Sequence, residues 1–188
     1  TEKFQEKRVA MFCDHTAGIG GGDRYMLSLA WTIASMCQID VYVRKESLIP
    51  TPEHVRTHFG FDIDSPNFTW KVLDENPDFY GYDLFINASH FAQYTTAAKF
   101  NFLISFFPQF AKTKDLALYD SLATSSRFSQ KWIWGNWGMT SHLLYPWGEL
   151  MESSDSDGKK ENIILSMTYG IQDEELVRKV KEYNGVAA

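Results

Sequence analysis

The sequence predicts an α/β fold built on an open, doubly wound and mainly parallel sheet with helices on both faces. Three observations predict it. Strand-length apolar runs recur along the chain, as strands buried on both faces require. A segment of helical periodicity follows the first run, and a second strand-like run follows that. Between the first run and the helix lie Gly18, Gly20, Gly21 and Gly22, a backbone bare enough for a tight turn or for close approach to a ligand.

Each element has its own warrant. "RVAMFCD" (8–14) is the first strand. The helix after the glycines is expected to begin at Asp23, a good N-cap residue, and Met26, Leu29, Ala30, Ile33, Ala34 and Cys37 recur on one face. "IDVYVR" (39–44) completes a βαβ unit, whose crossover is expected to be right-handed. Pro50, Pro52, Pro66 and Pro77 punctuate a loop-rich stretch over 45–81 that has room for a short helix at 52–59 and a strand, "FTWKVL" (68–73). Further strands are expected at "DLFINAS" (83–89), "FNFLISFF" (100–107), "LATSS" (122–126) and "HLLYP" (142–146). "SRFSQKWIWGNWG" reads as a helix ending near Gly135 or Gly138, with Phe128 and Trp132 on one face against the sheet. The acidic stretch 152–162 marks a linker, followed by a short strand and a charged helix. The organisation is therefore a Rossmann-like domain over 1–150, a hinge over 151–162 and a short remnant or substitute of a second domain over 163–188.

Composition narrows the function. The chain has 188 residues and a net charge of −6 with no basic block, which argues against a nucleic-acid partner, because neutralising phosphates takes clustered Lys and Arg. Cys13 and Cys37 are the only cysteines. They read as small buried thiols of a reducing compartment and not as metal ligands. The most apolar window, "FNFLISFFPQF", is eleven residues long and interrupted by Asn101, Ser105 and Pro108, too short for a membrane span. A cytoplasmic location is expected, with contact at a membrane surface left open. The sequons at Asn67 and Asn87 are short enough to arise by chance. No nucleophile–base constellation appears among the scattered histidines, so a hydrolase is disfavoured.

The glycine turn departs from known phosphate loops. Gly18 and Gly20 open a G-x-G pattern, but Asp23 stands where a third glycine belongs, and no Gly-Lys-Ser/Thr follows. Three glycines in a row, 20–22, exceed what turning requires.

These residues resemble a family. "GIGGGDRYMLSLA" is similar to the signature that opens the N-terminal domain of family 4 glycosyltransferases of the GT-B fold. "YDLFINASHF" (82–91), "KFNFLISFFP" (99–108) and "ATSSRFSQKWIWGNWGMTSHLLYP" (123–146) resemble later segments of those enzymes in the same order, and "ENIILSM" (161–167) resembles the first strand of their second domain. The resemblance implies one half of a GT-B fold and a retaining transfer from a nucleotide-sugar donor to a saccharide or lipid-linked acceptor. It implies no metal and no cofactor beyond the nucleotide-sugar as co-substrate. It places Gly20, Gly21, Gly22, Asp23 and Arg24 against the donor's diphosphate and sugar, and His90 as the catalytic residue reaching the transferred sugar. Ser125, Ser126 and Arg127 are candidates for lining the same cleft. Asp23 and Arg24 answer equally to helix capping and a surface charge pair; His90 and Arg127 also have ordinary structural alternatives.

The departures bear on what the chain does alone. "TYGIQDEE" follows the last matched strand, where the family has a Gly-Arg turn and then a Lys that neutralise the donor diphosphate. The chain thus resembles the acceptor-binding half, partnered in the whole enzyme by a C-terminal donor-binding domain, and is expected to be inactive by itself. The alternative on the same fold is a non-catalytic module that binds a nucleotide or a partner protein.

Overall fold

The computed structural model describes residues 5–13, 20–45, 47–73, 79–88, 94, 96–106, 108 and 114–146. All of them belong to the compact unit Thr1–Gly148. The hinge, strand and helix expected beyond residue 150 lie outside the described residues, as does His90.

Seven strands of the described residues form one sheet: β1 (Arg8–Cys13), β2 (Gln38–Val43), β3 (Phe68–Val72), β4 (Leu84–Ala88), β5 (Asn101–Ser105), β6 (Ser121–Thr124) and β7 (His142–Leu143). Their order is β3-β2-β1-β4-β5-β6-β7, and every pairing is parallel. The expectation of a mainly parallel sheet thus becomes an all-parallel one, Rossmann-like in topology. Three helices accompany it among the described residues: α1 (Gly21–Ala34), α2 (Pro52–Phe59) and α3 (Arg127–Trp137). A 3-10 turn at Lys114–Leu118 has no counterpart in the sequence reading.

Alternation along the strands divides the core into two layers. On the first face Val9, Met11, Ile39, Val41, Ile86 and Ile104 pack with Tyr25, Met26, Ala30 and Ile33 of α1. On the second, Ala10, Phe12, Phe85, Leu103 and Leu122 pack with Ile133 and Trp137 of α3. Helices therefore cover both faces, as a doubly wound sheet requires. A satellite cluster joins Leu27 of α1 to Val55 and Phe59 of α2, with Phe61 and Ile63 beyond.

Local chemistry sets the helix boundaries. Thr51 caps α2 by accepting from the His54 N–H at 3.1 Å, with Pro52 at the first position. Ser126 caps α3 by accepting from the Ser129 N–H at 3.1 Å. Gly138 stops α3 in the left-handed region at φ 64°, where a Cβ would be strained, and donates back to the Trp134 carbonyl.

Two sequence expectations are corrected here. Helix α1 begins at Gly21 with Gly20 as N-cap, and Asp23 occupies the third helical position. Its carboxylate reaches back to accept from the Gly20 N–H at 3.3 Å, the acidic half of a capping box. Phe128 does not lie on the sheet: it is 77% exposed, because Ser129, Ile133 and Trp137 form the inward stripe of α3. Trp132 does pack on the second-face core and meets Trp137 edge-on at 5.7 Å, while Trp134 faces outward.

Candidate functional site at the carboxyl edge of the sheet

The strand order reverses between β1 and β4, since the chain winds outward to β3 on one side and to β7 on the other. In open parallel sheets ligands bind in the crevice outside the strand carboxyl ends at this switch point. Strand β1 ends there at Cys13 and β4 at Ala88, paired in register. The chain leaving β1 returns as Gly20–Gly22 at the start of α1, and the chain leaving β4 runs into His90. The two segments that carry the first-rank sequence candidates thus connect to neighbouring strands at the switch point.

The glycines at 20–22 are not there for backbone strain. Gly20 adopts φ −84°, and neither Gly21 nor Gly22 has a positive φ. Among the described residues packing does not require Gly21 or Gly22 either, because a Cβ built on either would meet nothing within 4 Å, whereas one on Gly20 would lie 3.4 Å from the Asp23 carboxylate. Glycine inside a helix costs about 1 kcal/mol against alanine, so two of them in the first turn of α1 lower its stability without any return in turning or packing among the described residues. They stand at the N-terminus of a 14-residue helix, the positive end of its dipole, with Gly21 exposed and the Gly20 N–H donating to Asp23. An anion is the natural ligand of such a feature.

Asp23 and Arg24 have separate roles. Asp23 is buried and acts as the cap described above. Arg24 is half-buried, one position on, and its N–H donates to the Gly20 carbonyl at 3.1 Å. Ser125, Ser126 and Arg127 follow the carboxyl end of β6, which lies two strands from β4 and three from β1. At about 4.8 Å per strand, that is roughly 10 Å from β4 and 14 Å from β1. Helix α1 reaches toward that part of the edge, because Tyr25, three residues beyond Gly22, contacts the ends of β5 and β7 on either side of β6. Ser126 is occupied as the α3 cap, and its hydroxyl also donates to the Ser129 hydroxyl at 3.0 Å.

Sequence reasoning missed two features of this edge. The first is Tyr25, whose hydroxyl donates to the Leu144 carbonyl at 2.9 Å and whose ring meets Phe106 edge-on at 4.9 Å. It ties the N-terminal part of α1 to the ends of β5 and β7. Burial pushes its hydroxyl up to about 12, so the donor proton stays in place at neutral pH. The second is a set of buried polar side chains at strand ends: Asn87 in β4, Ser105 in β5 and Thr124 in β6. Ser105 and Thr124 face each other in register as the last residues of their strands. Asn87 donates to the Tyr119 hydroxyl at 2.6 Å, and that hydroxyl donates to the Tyr94 carbonyl. The Thr124 hydroxyl is buried with no hydrogen-bond partner among the described residues. The signal was present in the sequence as a polar residue closing each apolar run.

No group of three or more His, Cys, Asp or Glu side chains placed to hold a metal occurs among the described residues. No described helix is long and apolar enough to cross a membrane. Fold and edge together define a Rossmann-like parallel α/β domain with a glycine-rich helix N-terminus following the first strand. The chain matches no family model, no curated protein and no solved structure.

Proposed function

We propose that this domain is the acceptor-side half of a retaining, nucleotide-sugar-dependent glycosyltransferase of the GT-B type, inactive without a donor-binding domain. The observation that carries the reading is the first turn of α1, where Gly21 and Gly22 serve neither strain nor packing among the described residues and lie at the switch point. A sugar diphosphate held from the other side of a cleft needs such a surface: N–H donors and a positive dipole end that stabilise the charge growing on the leaving diphosphate. In this reading Gly20, Gly21 and Gly22 approach the diphosphate and Arg24 supplies a cation beside them. Asp23 acts by fixing the turn, and His90 reaches the transferred sugar. The acceptor, a saccharide or a lipid-linked one, lies along the edge toward β5 and β6, where Ser105, Ser125 and Arg127 are available. Ser126 holds the start of α3.

Amide chemical shifts of the labelled chain test this during titration with UDP-glucose, GDP-mannose and inorganic pyrophosphate. The expected result is a weak, saturable shift confined to Gly20–Arg24 and the ends of β1 and β4, stronger for a nucleotide sugar than for pyrophosphate. Absence of any shift there at millimolar ligand overturns the proposal. A shift for nucleotides irrespective of the sugar favours a nucleotide-binding module instead.

A further inference from the structure

Helix α2 carries a feature that the carboxyl edge does not use. His54 and His58 are four residues apart and therefore share one helical face. Their rings lie against each other with centroids 4.1 Å apart and planes 31° from parallel. The Nδ1 of His58 lies 2.9 Å from the His54 carbonyl oxygen. A carbonyl can only accept, so Nδ1 carries the proton and donates, which leaves the Nε2 lone pair of His58 available. That arrangement, one ring nitrogen donating to a backbone carbonyl and the other left as a lone pair, is how proteins hold metal-ligating histidines. The other histidines, at 15, 90 and 142, are each more than thirty residues from this pair in sequence.

The turn is rigid enough to act as a ligand. Thr51 and Pro52 fix its start, Gly60 ends it, and the buried Val55 and Phe59 pin the opposite side against α1. Arg56, the nearest cation in sequence, is engaged in an ion pair with Asp62. His58 is exposed and His54 half-buried, so solvent and ions reach the face.

We propose that His54 and His58 form a two-histidine chelate for a late divalent transition-metal ion, the class represented by Ni(II), Cu(II) and Zn(II). Two imidazole nitrogens come from one turn of α2 and the remaining positions are filled by water. Imidazole suits these ions, and affinity rises along the series toward copper. The χ2 torsion of histidine is broad, so the two adjacent rings are free to turn toward a shared ion. Bound metal then clamps the helix across one turn and stabilises the α2–α1 layer through mass action. The site is independent of the glycine turn and of the function proposed above.

Calorimetric titration of the whole chain with Ni(II) tests it, nickel being chosen because it does not oxidise the thiols of Cys13 and Cys37. One ion per chain is expected, with affinity reduced about tenfold or more in His54→Ala and in His58→Ala, and unchanged in His142→Ala. At a hundredfold excess of nickel over the dissociation constant, Tm of the wild type rises by about 5 °C. That rise is absent in the two α2 variants, whose helix content is checked by circular dichroism. Wild-type affinity retained in both α2 variants, or no binding by the wild-type chain, overturns the proposal.

Discussion

The two edges of this sheet are built from different materials. At the amino edge, carboxylates hold the strand starts together. Asp83, just before β4, accepts from Lys7 at 3.0 Å, from Lys99 at 2.8 Å and from the Arg8 N–H at 3.1 Å. Asp120, just before β6, accepts from the Asn101 N–H that opens β5 at 2.7 Å. Among the described residues the carboxyl edge has instead two glycines in a helix turn that neither strain nor packing requires, and a buried hydroxyl without a partner. On the function proposed above, the difference teaches where stability and function have been separated. One edge is held by ion pairs and hydrogen bonds, while the other keeps groups that lower stability, as the binding role proposed above would require.

The largest effect that tests this contrast falls on a group at the carboxyl edge that is fully satisfied. Asn87 is wholly buried and bonded to Tyr119. Asn87→Ala is expected to cost about 2–3 kcal/mol in urea denaturation, from a lost buried hydrogen bond plus the space left behind. A cost under about 0.5 kcal/mol, the range of a surface change, would mean that the edge is loosely built throughout. The glycine turn should behave in the opposite sense. The double variant Gly21→Ala, Gly22→Ala is expected to raise stability by roughly 1–2 kcal/mol, because alanine is the better helix former and both methyls have room among the described residues. The same variant should lose the amide shifts induced by nucleotide sugars. Stability gained with binding intact would remove the functional explanation for these glycines.

Legibility in the sequence follows the same division. Periodicity exposes each described strand and helix, because burial on two faces leaves apolar runs that no loop imitates, as in "RVAMFC" and "LFINA". Sheet order is not written in any one segment. It emerges from pairing, and it alone shows that β6 lies two strands from β4 and three from β1. The N-cap of α1 is Gly20 and not Asp23, because an aspartate caps in either of two ways, at the N-cap itself or from the third position reaching back. Phe128 faces solvent because a helix with Phe128, Trp132, Trp134 and Trp137 has more aromatic positions than one inward stripe can take. Tyr25 escapes a sequence reading because a tyrosine's hydroxyl partner, here a carbonyl 119 residues away, leaves no local trace.

The amino edge should show itself through pH. Donation from Lys99, from Lys7 and from the Arg8 N–H holds the Asp83 carboxyl well below the ordinary carboxylate range. A carboxylate depressed in the folded state contributes stability above its unfolded value, about 4, and loses it as pH falls through the folded one. Stability of the wild type should therefore fall on acidification from about pH 4 downward, and Asp83→Asn should flatten part of that fall while being less stable at neutral pH. The effect is smaller than those above, because Lys7 and Lys99 reach the carboxylate from solvent and salt screens them. An identical acid limb in both proteins would show that the ion pairs contribute nothing.

The smallest effect is the most telling about the other edge. Thr124→Val replaces the buried hydroxyl by a methyl of nearly the same size. Such a swap ordinarily costs stability, since a buried hydroxyl is nearly always bonded. Here the hydroxyl has no partner among the described residues, so the folded state already bears its desolvation. The Thr124→Val variant should leave stability unchanged or raise it by about 1 kcal/mol or less, read as a shift of the urea midpoint at constant slope. A loss of about 1 kcal/mol or more would mean that Thr124 is satisfied by an ordered water shared with its cross-strand neighbour Ser105. The polar strand ends would then be part of the packing, and the functional account of this edge would rest on the glycine turn alone.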